Sequence, residues 1–264
     1  MTAAAPGQAT PRMGFFTDTS ICIGCKACEV ACKEWNHVPD DGYAFLGQSY
    51  DNTGELSANT WRHVAFVEQP RADGDLRWLM SSDVCKHCTH AGCLDVCPTG
   101  SLFRTEFGTV VVQEDICNGC GYCVPACPYG VIDRREDDGR VWKCTLCYDR
   151  IGDGQTPACA KACPTQSIQF GPLEELRERA RGRVEDLVEA GVTEARLYGD
   201  DPGDGVGGAG AFFLLLDEPE VYGLPPDPVV PTRDLASMWR HAVAAAGTFA
   251  ALGVVAFAGR RGSR

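Results

Sequence analysis

Sixteen cysteines stand in this 264-residue chain, and they fall into four groups of four with none left over. Cys22, Cys25, Cys28 and Cys32 follow C-x2-C-x2-C-x3-C, and Cys117, Cys120, Cys123 and Cys127 repeat that spacing. Cys85, Cys88, Cys93 and Cys97 have a wider middle gap; Cys144, Cys147, Cys159 and Cys163 a wider one still. Thiolates two residues apart on a tight loop wrap three corners of a cubane cluster. A fourth, three residues on, points toward a second cube, which is why the last Cys of each run in two-cluster ferredoxins serves the other cluster. Pro98, Pro128 and Pro164 follow the last cysteine of three groups, as in that signature; Lys33 stands there in the first. Disulfides fit poorly, because cysteines two apart pair with bad geometry and the N-terminus shows no export signal. Zinc takes two C-x2-C pairs per site, and only the fourth group passes for that on its own. The spacing therefore assigns four [4Fe–4S] clusters with the sixteen cysteines as ligands.

Other side chains lie within reach of these ligands. Lys26, Lys33, Lys86, Lys143 and Lys161 neighbour cysteines in an otherwise acidic chain. Each is either a cation that stabilises a reduced, more negative cluster or a solvated surface side chain. His87 and His90 sit in the second group, where no corner is vacant for them, and His241 precedes an apolar segment as an ordinary interfacial side chain.

The elements that must position these residues read as an α+β, loop-rich fold of two ferredoxin-like modules. Cys97-Pro98-Thr99-Gly100-Ser101-Leu102 returns as Cys163-Pro164-Thr165-Gln166-Ser167-Ile168, with a looser copy from Cys127 to Ile132. Short strands are expected at Thr109–Gln113, Arg140–Lys143 and Ser167–Phe170. Residues 172–190 carry Leu173, Leu176, Ala180, Val184, Leu187 and Val188 at helical spacing, a packing helix on the cluster body. Residues 199–210, rich in Gly and Asp, are expected to be a mobile loop, and 211–216 a buried strand or a partner contact.

A net charge of −12 argues against nucleic acid or an anionic lipid surface as the main partner. The chain carries no G-x-G-x-x-G loop and no P-loop lysine motif, so no dinucleotide or nucleotide chemistry is expected of it. The first sixteen residues have neither an apolar signal core nor a twin-arginine pair. Near the other end, Ala242–Gly259 is an 18-residue run without a charge, flanked by Trp239 and Arg240 on one side and Arg260, Arg261 and Arg264 on the other. That length reaches across a bilayer core. The expected organisation is a tail at 1–14, a double ferredoxin-like four-cluster domain at 15–198, and a loop and partner-contacting segment at 199–238. A transmembrane helix at 239–259 and a basic tail at 260–264 follow. The arginine excess after the span places the C-terminus in the cytoplasm and the cluster domain outside, exported with a partner; the opposite, cytoplasmic placement stays open.

Beyond the spacing, the chain resembles the β (iron–sulfur) subunit of membrane-bound respiratory formate dehydrogenases, within the four-cluster electron-transfer subunits of molybdopterin oxidoreductases. The resemblance rests on CIGCKACEVACKEWN (22–36), YDN with LSANTW (50–61), GCGYC (119–123), KCTLCYDR (143–150), GQTPACAKACPT (154–165), GVGG (205–208) and YGLPPDP (222–228). It implies a non-catalytic redox subunit between a large molybdopterin (Mo or W) subunit that oxidises formate and a membrane cytochrome b subunit that reduces quinone. Molybdopterin and haem would reside only in those partners. It also implies nested ligation: Cys22, Cys25, Cys28 with Cys163; Cys144, Cys147, Cys159 with Cys32; Cys85, Cys88, Cys93 with Cys127; Cys117, Cys120, Cys123 with Cys97. Spacing alone leaves sequential pairing open. Two other readings stand beside it: the equivalent subunit of a dimethyl sulfoxide-, thiosulfate- or polysulfide-type reductase, and a soluble multi-cluster ferredoxin.

Overall fold

The computed structural model describes residues 10–42, 45–48, 50–70 and 74–261. Most of the tail expected at 1–14, and the end of the basic tail from 262, lie outside these described residues. Along the chain run β1 (Met13–Asp18), α1 (Ala27–Asn36), β2 (Arg62–Pro70), β3 (Leu76–Val84), α2 (Gly92–Asp95), β4 (Leu102–Arg104), β5 (Val110–Val112), β6 (Asp133–Arg134) and β7 (Val141–Trp142). Then come α3 (Tyr148–Gly152), α4 (Ala158–Ala162), β8 (Ile168–Pro172), α5 (Leu173–Glu189), β9 (Arg196–Tyr198), β10 (Ala211–Leu215) and α6 (Leu235–Arg261).

One mixed sheet, ordered β8-β1-β10-β9, divides the body. Strand alternation sends successive side chains to opposite faces. Phe16, Phe212 and Leu214 meet Leu173, Leu176 and Ala180 of α5 on one face, with Phe16 and Phe212 stacked 5.3 Å apart. Phe15 and Ala211 point the other way, into a core shared with Cys28, Cys32, Cys85, Cys144 and Cys159. The cysteines thus replace part of an ordinary apolar core. Three two-stranded ribbons, β2-β3, β4-β5 and β6-β7, cover the rest.

The expected strands and the long helix are present within a residue or two at their ends. Val188 departs from the expected apolar face: it is 43% exposed, while Leu187 beside it packs against the core of Phe16, Phe212 and Leu214. Residues 199–210 form a packed loop in place of the mobile one expected. The Asp204 carboxylate accepts from the Val206 and Gly208 N–H groups at 2.9 and 2.8 Å, and His90 N–H donates to the Val206 carbonyl. The segment from 211 is a strand bonded in parallel to β1. Met13 and Gly14 belong to that sheet, which draws its strands from Met13 to Leu215, and Tyr222, Leu224 and Val230 beyond it are buried as well.

α6 stands apart. Leu235–Ala258 is long and apolar enough to cross a membrane, and none of its apolar window is buried. A core helix of a soluble protein would hide that surface; this one exposes Trp239, Val243, Phe249, Leu252 and Phe257. It starts four residues earlier than expected.

Candidate iron–sulfur centres

Tight loops carry the cysteines, and their backbone turns left-handed repeatedly. Lys26 (φ 58°), His87 (φ 45°), Leu146 (φ 58°) and Cys147 (φ 49°) occupy a region that L-residues rarely visit. Gly24 and Gly119 do so at no steric cost. At Gly119 there is a second reason, because a Cβ would collide with the Gly139 carbonyl oxygen. These turns aim N–H groups at sulfur: Leu146 N–H reaches Cys144 Sγ at 3.2 Å. At Cys97, N–H groups of Leu102, Thr99 and Ser101, with the Thr99 hydroxyl, outweigh desolvation and lower the thiol's pKa.

All sixteen thiols are free, and their electrostatic neighbours come from more than one cysteine run. Burial raises the Cys22 thiol, the Gly24 N–H opposes this, and Cys28, Cys163 and Cys25 add to the rise. Cys163 lines the same pocket as Cys22, Cys25 and Cys28. Burial drives Cys32 well up, helped by Cys144, Cys159 and Cys147. Cys88 is driven up by burial with Cys85, Cys127 and Cys93, and those four share a second pocket. Cys123 is pushed to about 12 by burial, against its own N–H, with Cys117, Cys120 and Cys97 contributing.

Cys28 and Cys32 lie one turn apart on α1, Cys159 lies on α4 with Cys163 just beyond it, and α1 packs against α4. Cys93 lies on α2 and Cys97 two residues past its end.

With these neighbour sets numbered by Cys22 (first), Cys32 (second), Cys85 (third) and Cys117 (fourth), each set reaches the next electrostatically. Beyond burial and the opposing Arg62 and Ser82, Cys28 of the first is raised by Cys159 of the second. Cys144 of the second is raised by burial and then by Cys85 of the third. Cys93 of the third, held at about 12 by burial against Lys143, is raised by Cys85, Cys127 and then Cys123 of the fourth. Cys25 at one end and Cys120 at the other are exposed.

Of the five lysines, Lys86 and Lys143 are buried at 1% and 2% exposure and line the pocket of Cys85, Cys88, Cys93 and Cys127. Lys86 pairs with Asp83 and donates to the Val84 carbonyl at 2.9 Å; Lys143 donates to the carbonyls of Val110 and Cys144. Lys26 borders the first pocket and binds Asp51 at 2.9 Å. Lys33 turns outward to Asp41, and Lys161 is exposed. His87 is buried and accepts the Val110 N–H at Nδ1; His90 is exposed. His241 bonds the Ser237 carbonyl within its own helix. Three further residues had no motif to announce them. Asn36 Nδ2 approaches Cys32 Sγ at 3.7 Å and Cys147 Sγ at 3.9 Å. The Ser82 hydroxyl lies 3.2 Å from Cys28 Sγ, and the Arg62 guanidinium is buried among cysteines.

This donor set fits a cubane: four soft thiols per site, loops that wrap them, and N–H groups directed at sulfur. Among the described residues no three His, Cys, Asp or Glu side chains converge closely enough to hold a single metal ion.

Comparison with known proteins agrees. Two family profiles, each described as a 4Fe-4S dicluster domain, match residues 21–101 and 76–173. The iron–sulfur subunit of the nitrate-inducible formate dehydrogenase of Escherichia coli K12 is 44% identical over 245 residues, 89% of this chain and 81% of the relative. The formate dehydrogenase iron–sulfur subunit of Haemophilus influenzae is 46% identical over 217 residues, 81% of this chain and 68% of the relative. A subunit of the anaerobic dimethyl sulfoxide reductase of Escherichia coli K12 is 37% identical over 171 residues, 64% of this chain and 78% of the relative. With four thiol groups set in a row and this degree of likeness, the chain belongs to the formate dehydrogenase iron–sulfur subunit family, non-catalytic electron carriers with four [4Fe–4S] clusters.

Proposed function

We propose that this chain carries electrons from a molybdopterin subunit that oxidises formate to a cytochrome b-type subunit in the membrane. The ligand sets are the nested ones: Cys22, Cys25, Cys28 and Cys163; Cys32, Cys144, Cys147 and Cys159; Cys85, Cys88, Cys93 and Cys127; Cys97, Cys117, Cys120 and Cys123. The observation that carries this reading is the row of four thiol groups, each touching the next electrostatically and exposed only at its two ends. When bound, each cluster takes up and releases one electron. The chain's own residues set the conditions for this. Backbone N–H groups and Asn36 donate toward sulfur, Lys86 and Lys143 place positive charge beside the third site, and burial keeps water from the two central ones.

The root of α6 supports the side of the third and fourth groups as the one facing the membrane. Val230, five residues before α6, packs at Gly92 of α2, and the Thr232 hydroxyl donates to Asp95 at 2.6 Å. The first group's end, with Cys25 and Ile23 exposed, then meets the catalytic partner. α6 spans the bilayer with its C-terminal arginines in the cytoplasm, and the cluster body lies outside, carried there on a partner's export signal. The soluble-ferredoxin reading leaves the bare face of α6 without an occupant.

The complex purified from membranes tests the function: it should contain a molybdopterin subunit and reduce a dye with formate. Reduction of dimethyl sulfoxide by that complex, with no formate activity, would move the chain to the reductase branch that its 37%-identical relative represents. Protease added to intact spheroplasts should digest the cluster body; full protection would reverse the orientation.

A further inference from the structure

Arg62, at the start of β2, is 2% exposed. Its Nη1 donates to the Ser82 hydroxyl at 2.9 Å and to the Ser82 carbonyl at 3.2 Å. Its Nε and Nη2 are buried and have no protein acceptor. The guanidinium stacks over Phe15 at 5.0 Å, and its electrostatic neighbours are the thiols of Cys159, Cys28, Cys144 and Cys32. Cys28 belongs to the first group and the other three to the second.

A buried guanidinium without an anionic partner is costly, and two buried N–H donors left unmatched add to that cost. A site in which four thiolates surround an iron–sulfur core is a net anion whose sulfurs accept hydrogen bonds. Both deficits are met at once if Arg62 faces two such sites. Ser82 ties the arrangement together, holding Nη1 while lying 3.2 Å from Cys28 Sγ.

We propose that Arg62 is the shared positioning cation of the first and second clusters, with its two free N–H donors directed at their sulfurs, so that one side chain raises the reduction potentials of both. This rests on the cluster assignment made above. An arginine is suited to the task because it stays charged at any working pH and reaches in two directions with a planar fork. Since each added electron brings the same attraction, both sites become easier to reduce, and neither becomes a barrier relative to the other.

The test is an EPR-monitored redox titration of the membrane-purified complex carrying Arg62→Gln or Arg62→Lys, with iron and sulfide analysed in parallel. Iron content checks the cluster assignment separately: fewer than four clusters in the wild-type complex would undo that assignment, whatever the potentials do. With four clusters retained, Arg62→Gln is expected to move two of the four waves to lower potential. Each should move by at least a tenfold change in its reduction equilibrium, ~59 mV for one electron. Arg62→Lys should leave them much closer to wild type. Four unmoved waves, or an equal shift of all four, would overturn the proposal. So would loss of cluster iron from both variants, since Arg62 would then be a packing residue whose charge is incidental.

Discussion

Replacing Lys143 with methionine removes one buried positive charge while nearly preserving side-chain volume. The ammonium lies 3.0 Å from the Cys144 carbonyl and within hydrogen-bonding reach of the Cys85 thiol, between the second and third groups. A charge so placed sits ~6 Å from an electron arriving at the adjacent site, and at an effective dielectric constant of ~20 their attraction is ~2.8 kcal/mol. With ~1.4 kcal/mol and ~59 mV per tenfold change for one electron, the loss corresponds to a fall of ~120 mV in that site's potential. The carbonyls of Val110 and Cys144 also lose a donor, at ~1–3 kcal/mol each if both stay unsatisfied, so the melting temperature should fall as well. The assay is an EPR redox titration of the assembled complex, with the exposed Lys161→Met as control. Solvent screening limits the control to under ~20 mV. A Lys143→Met wave that moves no further than the control would refute the view that this buried charge sets the potential.

Asn36→Leu removes the donor shared by Cys32 and Cys147 and should lower the potential of the second site alone, by less than Lys143→Met does; the same titration reads it. Gly119→Ala forces a β-carbon onto the Gly139 carbonyl in a left-handed turn. It should leave the complex short of one cluster's iron, measured by colorimetric iron and sulfide analysis. A chain ending at Asp234 lacks only the unburied α6 and should appear in the detergent-free soluble fraction with its iron content unchanged.

What was legible in the sequence was local. The cysteine runs, the short strands at Val110–Val112, Val141–Trp142 and Ile168–Pro172 and the amphipathic helix at Leu173–Glu189 are all set by neighbours a few residues apart. The parallel pairing of β1 with β10 joins Phe16 to Phe212, and no local pattern announces a partner so distant. The β2-β3 ribbon escapes a pattern-based reading because its alternation is broken where Arg62, His63, Ser81 and Ser82 turn inward as buried polar residues. That same break hides Arg62, since a lone arginine in a strand reads as a surface side chain. The lysines show the converse: adjacency to a cysteine selected five, and burial divides them into two inside and three at or near the surface.

The nested ligand sets proposed above also dictate an order of construction. The third and fourth sites draw all their thiols from residues 85–127, a stretch complete when less than half the chain has been made. The first and second sites cannot close until Cys163 and Cys159 exist, and each then ties the N-terminal loop to residues more than a hundred positions away. Closing so long a loop is cheaper once the intervening chain is compact, because the entropy lost grows with the length still free. The inner pair is therefore the natural foundation and the outer pair the clasp.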